Sequence, residues 1–293
     1  MWMNPQVQSF YDSATSTFTH VVYDHDGGRA AIVDPVLDYD PAQARTSTVS
    51  ADRVLAFVDE HALSVDWILE THAHADHLTA AAYLKRKTGA RVAIGHGIPR
   101  VQERFKALFG LEPGFATDGR QFDQLLADGE TFAIGQLQAR AIVTPGHTDD
   151  SLTYLIGDAA FVGDTVFAPE TGTARVDFPG GDARKLYRSI QTLLDFPPDT
   201  RLFLCHDYPP AGRQAHPQSS LQEQAQRNVH VGGGTDEAAF VKMRTERDAT
   251  LAAPKLILPS LQVNIRAGEL PAPSANGIQY LRLPMNQLGA EAP

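Results

Sequence analysis

Hydrophobic and polar positions change period several times along the chain, and those changes delimit the predicted elements. TFTHVVYDHDGGRAAIVDPV (17–36) reads as two strands joined at Asp26-Gly27-Gly28, a hairpin signal. From Ser50 to His61 the spacing turns helical, with Val54, Leu55 and Val58 on one side. VDWILET (65–71) predicts a short buried strand, and LTAAAYLKRKTG (78–89) a helix stopped by Gly89. A further strand, ARVAIG, and a helix ending at Gly110 follow. From Glu130 the chain returns to strands, TFAIG, LQARAIVTP, LTYLIGD and AAFVGD, each bounded by Gly, Asp or Pro. Ala183–Leu194 predicts a helix and RLFLCH (201–206) a last strand. In the tail, Leu221–Asn228 and Asp236–Leu251 read as helices, the second with Thr235 as N-cap, and beyond Pro254 the pattern becomes irregular and Pro-rich. Two β-rich stretches, each followed by helices, predict an α/β chain folded as an αββα sandwich. The expected layout is a catalytic domain over 1–228, with a helical and irregular extension, 229–293, packed on it.

Composition narrows the function. A net charge of −10 with no run of Lys or Arg argues against a nucleic-acid or anionic-membrane partner. A single cysteine, Cys205, excludes an intrachain disulfide framework and a Cys-rich metal site. No segment reaches the roughly 20 apolar residues of a bilayer span, and the opening MWMNPQVQSFYD lacks an apolar signal core. The expectation is a soluble, cytoplasmic protein of a reducing compartment, with homo-oligomerisation open.

The chemistry concentrates in ETHAHADHLTAA. His72, His74, Asp76 and His77 fall within six residues, between an apolar strand and a helix. Imidazoles at i and i+2, then a carboxylate and another imidazole, make a dense set of ligands for a first-row metal. Three later groups repeat the placement: His147 in TPGHTDDS, Asp164 in FVGDTVF and His206 in FLCHDY each follow an apolar strand. Taken singly, they read as a turn histidine, a hairpin carboxylate and a core histidine. Taken together, they read as ligands delivered by separate strands to one rim.

The series H-x-H-x-D-H, G-H, G-D and a late H resembles the metallo-β-lactamase superfamily. Within it, ETHAHADHLTAAAYLK, TPGHT, GDTVF, GTARVDFPGGDARKLYRSI and CHDY resemble the persulfide dioxygenases, over roughly Val7 to Asn228. The resemblance implies one Fe(II) per chain held by His72, His147 and Asp164. Two imidazoles and a carboxylate also form a facial triad that leaves positions open for O2 and a sulfur anion. In the same reading His74, Asp76, His77 and His206 orient ligands and waters, although they suffice for a second metal. Arg175 and Asp177 support the site, Tyr208 lies near the open positions, and Thr148 touches the thiol substrate. Cys205 reads as packing beside a ligand strand. The pattern departs at Asp149-Asp150, where many members carry Pro-Gly.

The implied reaction oxidises glutathione persulfide, or a related low-molecular-weight persulfide, with O2 to sulfite and thiol. The alternative is a dinuclear-metal glutathione thioesterase of the glyoxalase II kind. A non-catalytic persulfide- or metal-binding protein comes third, and the acidic charge disfavours a tRNA-processing nuclease.

Overall fold

The computed structural model describes residues 3–287; the first two residues of the opening and the last six of the extension lie outside the described residues. In the first half, β1 (Gln6–Asp12), β2 (Thr17–Tyr23) and β3 (Arg29–Val33) form an antiparallel meander. The expected turn joins β2 to β3, with Gly27 at a φ of 78° that a side chain would strain. β4 (Val36–Asp40) and β5 (Arg45–Ser47) make a side hairpin. α1 (Val49–Glu60) then crosses to β6 (Ser64–Leu69). The stretch 78–89 does not form one helix. Leu78–Thr79 is a short strand, β7, paired with β4, and the helix is α2 (Ala81–Thr88), closed by Gly89 in the left-handed conformation. β8 (Arg91–Gly95), α3 (Ile98–Phe109) and β9 (Gln124–Leu126) complete this half. The sheet runs β1-β2-β3-β6-β8-β9, parallel from β3 onward.

The second half builds the order β10 (Thr131–Ile134), β11 (Leu137–Val143), β12 (Leu152–Ile156), β13 (Ala159–Phe161), β14 (Arg201–Phe203), β15 (Gln218–Ser220). α4 (Ala183–Leu194) connects β13 to β14, which pair in parallel. Its N-terminus is capped by Asp182, whose carboxylate accepts from the amides of Arg184 and Lys185. α5 (Leu221–Arg227) follows β15.

Three apolar layers hold four structural ones. Ile32, Ile68 and Val92 face α1 to α3; Leu69, Tyr154 and Phe161 lie between the sheets; Leu202, Leu186 and Phe240 back the second sheet. The fold is thus helices, sheet, sheet, helices. The tail departs from expectation. α6 (Glu237–Asp248) is capped by Asp236, not Thr235. Beyond Pro254 the chain forms a buried helix, α7 (Ile257–Asn264), which packs on the first half. Pro259 does not prevent it, because in the first helical turn the missing amide would have had no intrahelical partner. Among the described residues no helix is long and apolar enough to cross a membrane.

Candidate metal centre

Strands of both sheets end at one rim, and the candidate ligands follow those ends. The buried strand β6 delivers Glu70, Thr71 and His72. Asp34, just after β3, accepts from the Thr71 amide at 2.8 Å and its hydroxyl at 2.9 Å. The Thr71 oxygen in turn lies 3.1 Å from His72 Nδ1, so this ring donates there and turns Nε2 inward. Asp34 also meets His74 Nε2 at 3.0 Å, which leaves Nδ1 of that ring inward. His147 Nδ1 donates to the Arg175 carbonyl at 2.7 Å.

His206 is reached differently from expectation. The strand ends at Phe203, and Cys205 and His206 leave it to pair with Phe18 and Thr17 of the other sheet. His206 Nδ1 sits 3.2 Å from the Ser16 carbonyl, and Nε2 faces Asp76 at 3.1 Å and Asp164 at 3.3 Å. In the histidines tied this way, one nitrogen is fixed by the protein and the other is presented to the centre, the arrangement that sets a ligand's tautomer.

The inward atoms lack partners. His72 Nε2, His74 Nδ1, Asp76 Oδ2, His77 Nε2, Asp164 Oδ1 and His206 Nε2 are all buried without a hydrogen bond. A buried polar atom left so costs about 1–3 kcal/mol, and six converging on one space call for a cation. The nitrogen and oxygen donors suit a first-row divalent metal. Two groups among the donors each have their atoms within 4.8 Å of one another, His72, His147 and Asp164, and His74, Asp76, His77 and His206, and Asp164 joins them through His206 at 3.3 Å.

Electrostatics favours ligation at His72 and His74. Burial, then neighbouring imidazoles, hold His72 and His74 well below the usual histidine range, so both stay neutral and ready to bind metal. Burial pushes Asp164 up. Burial would also lower His206, but Asp76 and Asp164 outweigh it and raise that ring.

The remaining predicted residues line the rim. Arg175 and Asp177 form a two-pronged ion pair at 2.6 Å, and the arginine also donates to the Ala252 carbonyl. The Arg175 backbone, not its guanidinium, touches His147. Tyr208 is about half exposed, its ring parallel to His206 at 5.9 Å. The Thr148 hydroxyl is engaged by Ser151 at 2.6 Å. His74, Asp76, His77 and His206, expected to orient ligands or to hold a second metal, each aim a donor atom without a hydrogen bond into the centre. Residues the sequence reading passed over do the bracing: Asp34, Asp150, whose carboxylate takes the Ala73 amide at 2.8 Å, and Asn264. Asp34 carried a signal, an acid ending the buried run AAIV, as Asp164 does after its own strand.

The sequence profile of the Metallo-beta-lactamase superfamily matches residues 14–206. The chain belongs to the metallo-β-lactamase superfamily. Two similar relatives in it are a "probable metallo-hydrolase" of Burkholderia pseudomallei, 51% identical over 96% of this chain and 99% of that one, and "glyoxylase B2" of Dictyostelium discoideum, 47% identical over 97% and 98%. The human mitochondrial persulfide dioxygenase ETHE1 is 25% identical over 89% of this chain and 88% of its own. Among solved structures, ETHE1 from Myxococcus xanthus superposes with a TM-score of 0.71 at 30% identity, covering 90% of this chain and all of that one. A metallo-β-lactamase-fold chain with a site fit for metal is therefore established. By name, the relatives at 47% and 51% identity favour a hydrolase over the expected dioxygenase.

Proposed function

We propose that the chain is an iron-dependent persulfide dioxygenase, carrying one Fe(II) on His72, His147 and Asp164. The observation that carries this reading is a compact triad of two imidazoles and one carboxylate, His72, His147 and Asp164, whose donor atoms lie within 4.8 Å of one another. The likeness to ETHE1 over about nine-tenths of the chain supports it. The balanced reaction is R–S–SH + O2 + H2O giving R–SH, sulfite and two protons, with glutathione persulfide the proposed substrate. Fe(II) on such a triad, when bound, supplies open positions for a sulfur anion and O2 and a route for electrons between them.

The chain's own groups hold and shield. The Arg175 carbonyl and Thr71 hydroxyl fix the rings of His147 and His72. Phe178 stands edge-on to His147 at 5.1 Å and Phe167 edge-on to His206 at 6.0 Å, apolar walls that limit water. Tyr208, beside His206, offers a hydroxyl toward an incoming substrate. Thr148 and the Arg175–Asp177 pair shape the rim around the thiol. Cys205 is buried, and burial pushes its thiol well up, so it is packing rather than a nucleophile.

A specific observation favours a second reading, the dinuclear thioesterase. His74, Asp76, His77 and His206 aim unpartnered donors at one another, enough for a second ion, and the hydrolase names of the nearer relatives weigh the same way. One preparation separates the two. Iron-loaded protein given glutathione persulfide is expected to consume O2 and release sulfite in equal amounts. Thiol release from S-lactoylglutathione under nitrogen, with no O2 uptake on any persulfide, would replace the oxygenase by the hydrolase.

A further inference from the structure

The C-terminal extension lies beyond the residues matched by the superfamily profile, yet one of its side chains grips the metal loop. Asn264, the last residue of α7, is 3% exposed. Its Nδ2 donates to the carbonyls of His74 at 2.7 Å and His77 at 2.8 Å, and its Oδ1 accepts from the Thr79 amide at 2.8 Å. Three bonds from one amide thus span the turn that carries His74, Asp76 and His77. The chemistry is specific to asparagine, which offers two donors on one nitrogen and an acceptor beside it. Aspartate has the same shape but would turn an oxygen toward two carbonyls.

The anchor behind the amide is firm. Ile257, Leu261 and Ile265 sit in the core shared with the first helices. After them the chain returns at Gly268, with a φ of 87° and so close to α2 that a Cβ there would meet the Ala82 amide nitrogen at 2.8 Å.

We infer that Asn264 is a positioning residue of the metal centre, which makes the extension part of that centre rather than an appendage. The inference rests on the metal-binding reading, and its test keeps the two apart. Full-length Asn264→Asp, Asn264→Ala and a control, Gln262→Ala, are compared. Gln262 is buried on the same helix, and its side chain bonds the Leu258 and Arg282 carbonyls but not the metal loop. Metal-free protein is titrated with Co(II) and followed by its visible absorption, and amide exchange is read at Thr79.

Asn264→Asp is expected to weaken Co(II) binding about tenfold or more and to shift the absorption bands, because it loosens the loop that aims the His74, Asp76 and His77 donors into the centre. Asn264→Ala is expected to speed exchange of the Thr79 amide at least tenfold in the absence of metal. Gln262→Ala should leave spectrum and affinity unchanged even if its melting point falls. Wild-type spectrum and affinity in Asn264→Asp would overturn the inference, and so would equal changes in Gln262→Ala. Wild-type protein that binds no Co(II) would sink the metal reading, while the exchange measurement would still judge the grip of Asn264 on the loop. If Asn264→Ala fails to fold, the isosteric aspartate variant carries the test.

Discussion

His147 Nδ1 lies 2.7 Å from the carbonyl oxygen of Arg175, so a backbone atom sets the tautomer of this candidate ligand. The guanidinium of Arg175 points elsewhere, to Asp177 and the Ala252 carbonyl. Arg175→Ala keeps the carbonyl, and its metal content is expected to stay within about twofold of wild type. Stability should fall by about 1 kcal/mol or less, the usual worth of a partly exposed ion pair. A tenfold loss of metal, read by elemental analysis, would show that the side chain matters to ligation.

The triad makes an asymmetric forecast across the seven donors. His72→Ala, His147→Ala and Asp164→Ala should each lose tightly bound iron and activity, with the secondary structure retained. His206→Ala should keep most of its iron, and anaerobically purified wild type should carry close to one iron per chain. Equal iron loss from His206→Ala and His147→Ala, or two tight zinc ions in wild type, would transfer the assignment to a dinuclear site.

Gly146, beside His147, has a φ of 136°, and a Cβ there would lie 2.2 Å from the backbone nitrogen of Leu186 in α4. Neither backbone can yield without dislodging the helix, so Gly146→Ala is expected to cost roughly 3 kcal/mol and to impair metal binding. Gly129 provides the contrast, with a φ of 75° but nothing within 4 Å. Its alanine variant meets only the left-handed strain of about 1–2 kcal/mol. Urea denaturation of the two variants should separate them. Equal costs would show that the contact with α4 relaxes freely.

His20 is buried between the sheets, with Nε2 donating to the Leu204 carbonyl at 3.0 Å, and burial pushes it down to about 4. The unfolded chain holds this proton from about pH 6.5 downward, the folded chain only from about 4. The stability from the neutral ring is therefore complete above pH 6.5 and drains away as pH falls toward 4, by about 1.4 kcal/mol per pH unit and roughly 3 kcal/mol in all. Metal-free His20→Gln, which cannot titrate, should show a shallower acid slope by about one proton. Parallel slopes for wild type and variant would contradict this account.

The rim was legible in the sequence because strands ending in Gly, Asp or Pro advertise their ends. ETHAHADH, PGH, GD and CH all fall there, and the structure gathers their donor atoms. The sandwich was legible for the same reason, from strand runs alternating with helical spacing. What escaped was whatever depended on burial from several sides. α7 buries Ser260, Gln262 and Asn264 together with Ile257, Leu261 and Val263, so its polar residues mark no outer face and its period is invisible. The six-residue strand expected at 201–206 stops at Phe203 because His206 is drawn to Thr17 of the opposite sheet, a contact between residues distant in sequence. Asp34 reads locally as a turn residue before Pro35. Only the fold reveals that it braces both Thr71 and His74.

Each sheet is woven from one continuous stretch of chain, and the triad draws on both, His72 from the first and His147 and Asp164 from the second. In mechanical language an ion held there is a rivet through two plates. A rivet adds nothing to the stiffness of either plate, but its removal frees them to slide and part at the edge. A chain stripped of metal keeps the strands and helices of both halves, yet loses a fastener at the rim beside the Phe18–Cys205 and Leu152–Thr71 backbone bonds. The face laid bare by any parting carries Leu69, Tyr154 and Phe161, an adhesive surface. Loss of the ion would then show first as a loosening at this edge, with the strands and helices of each plate still in place.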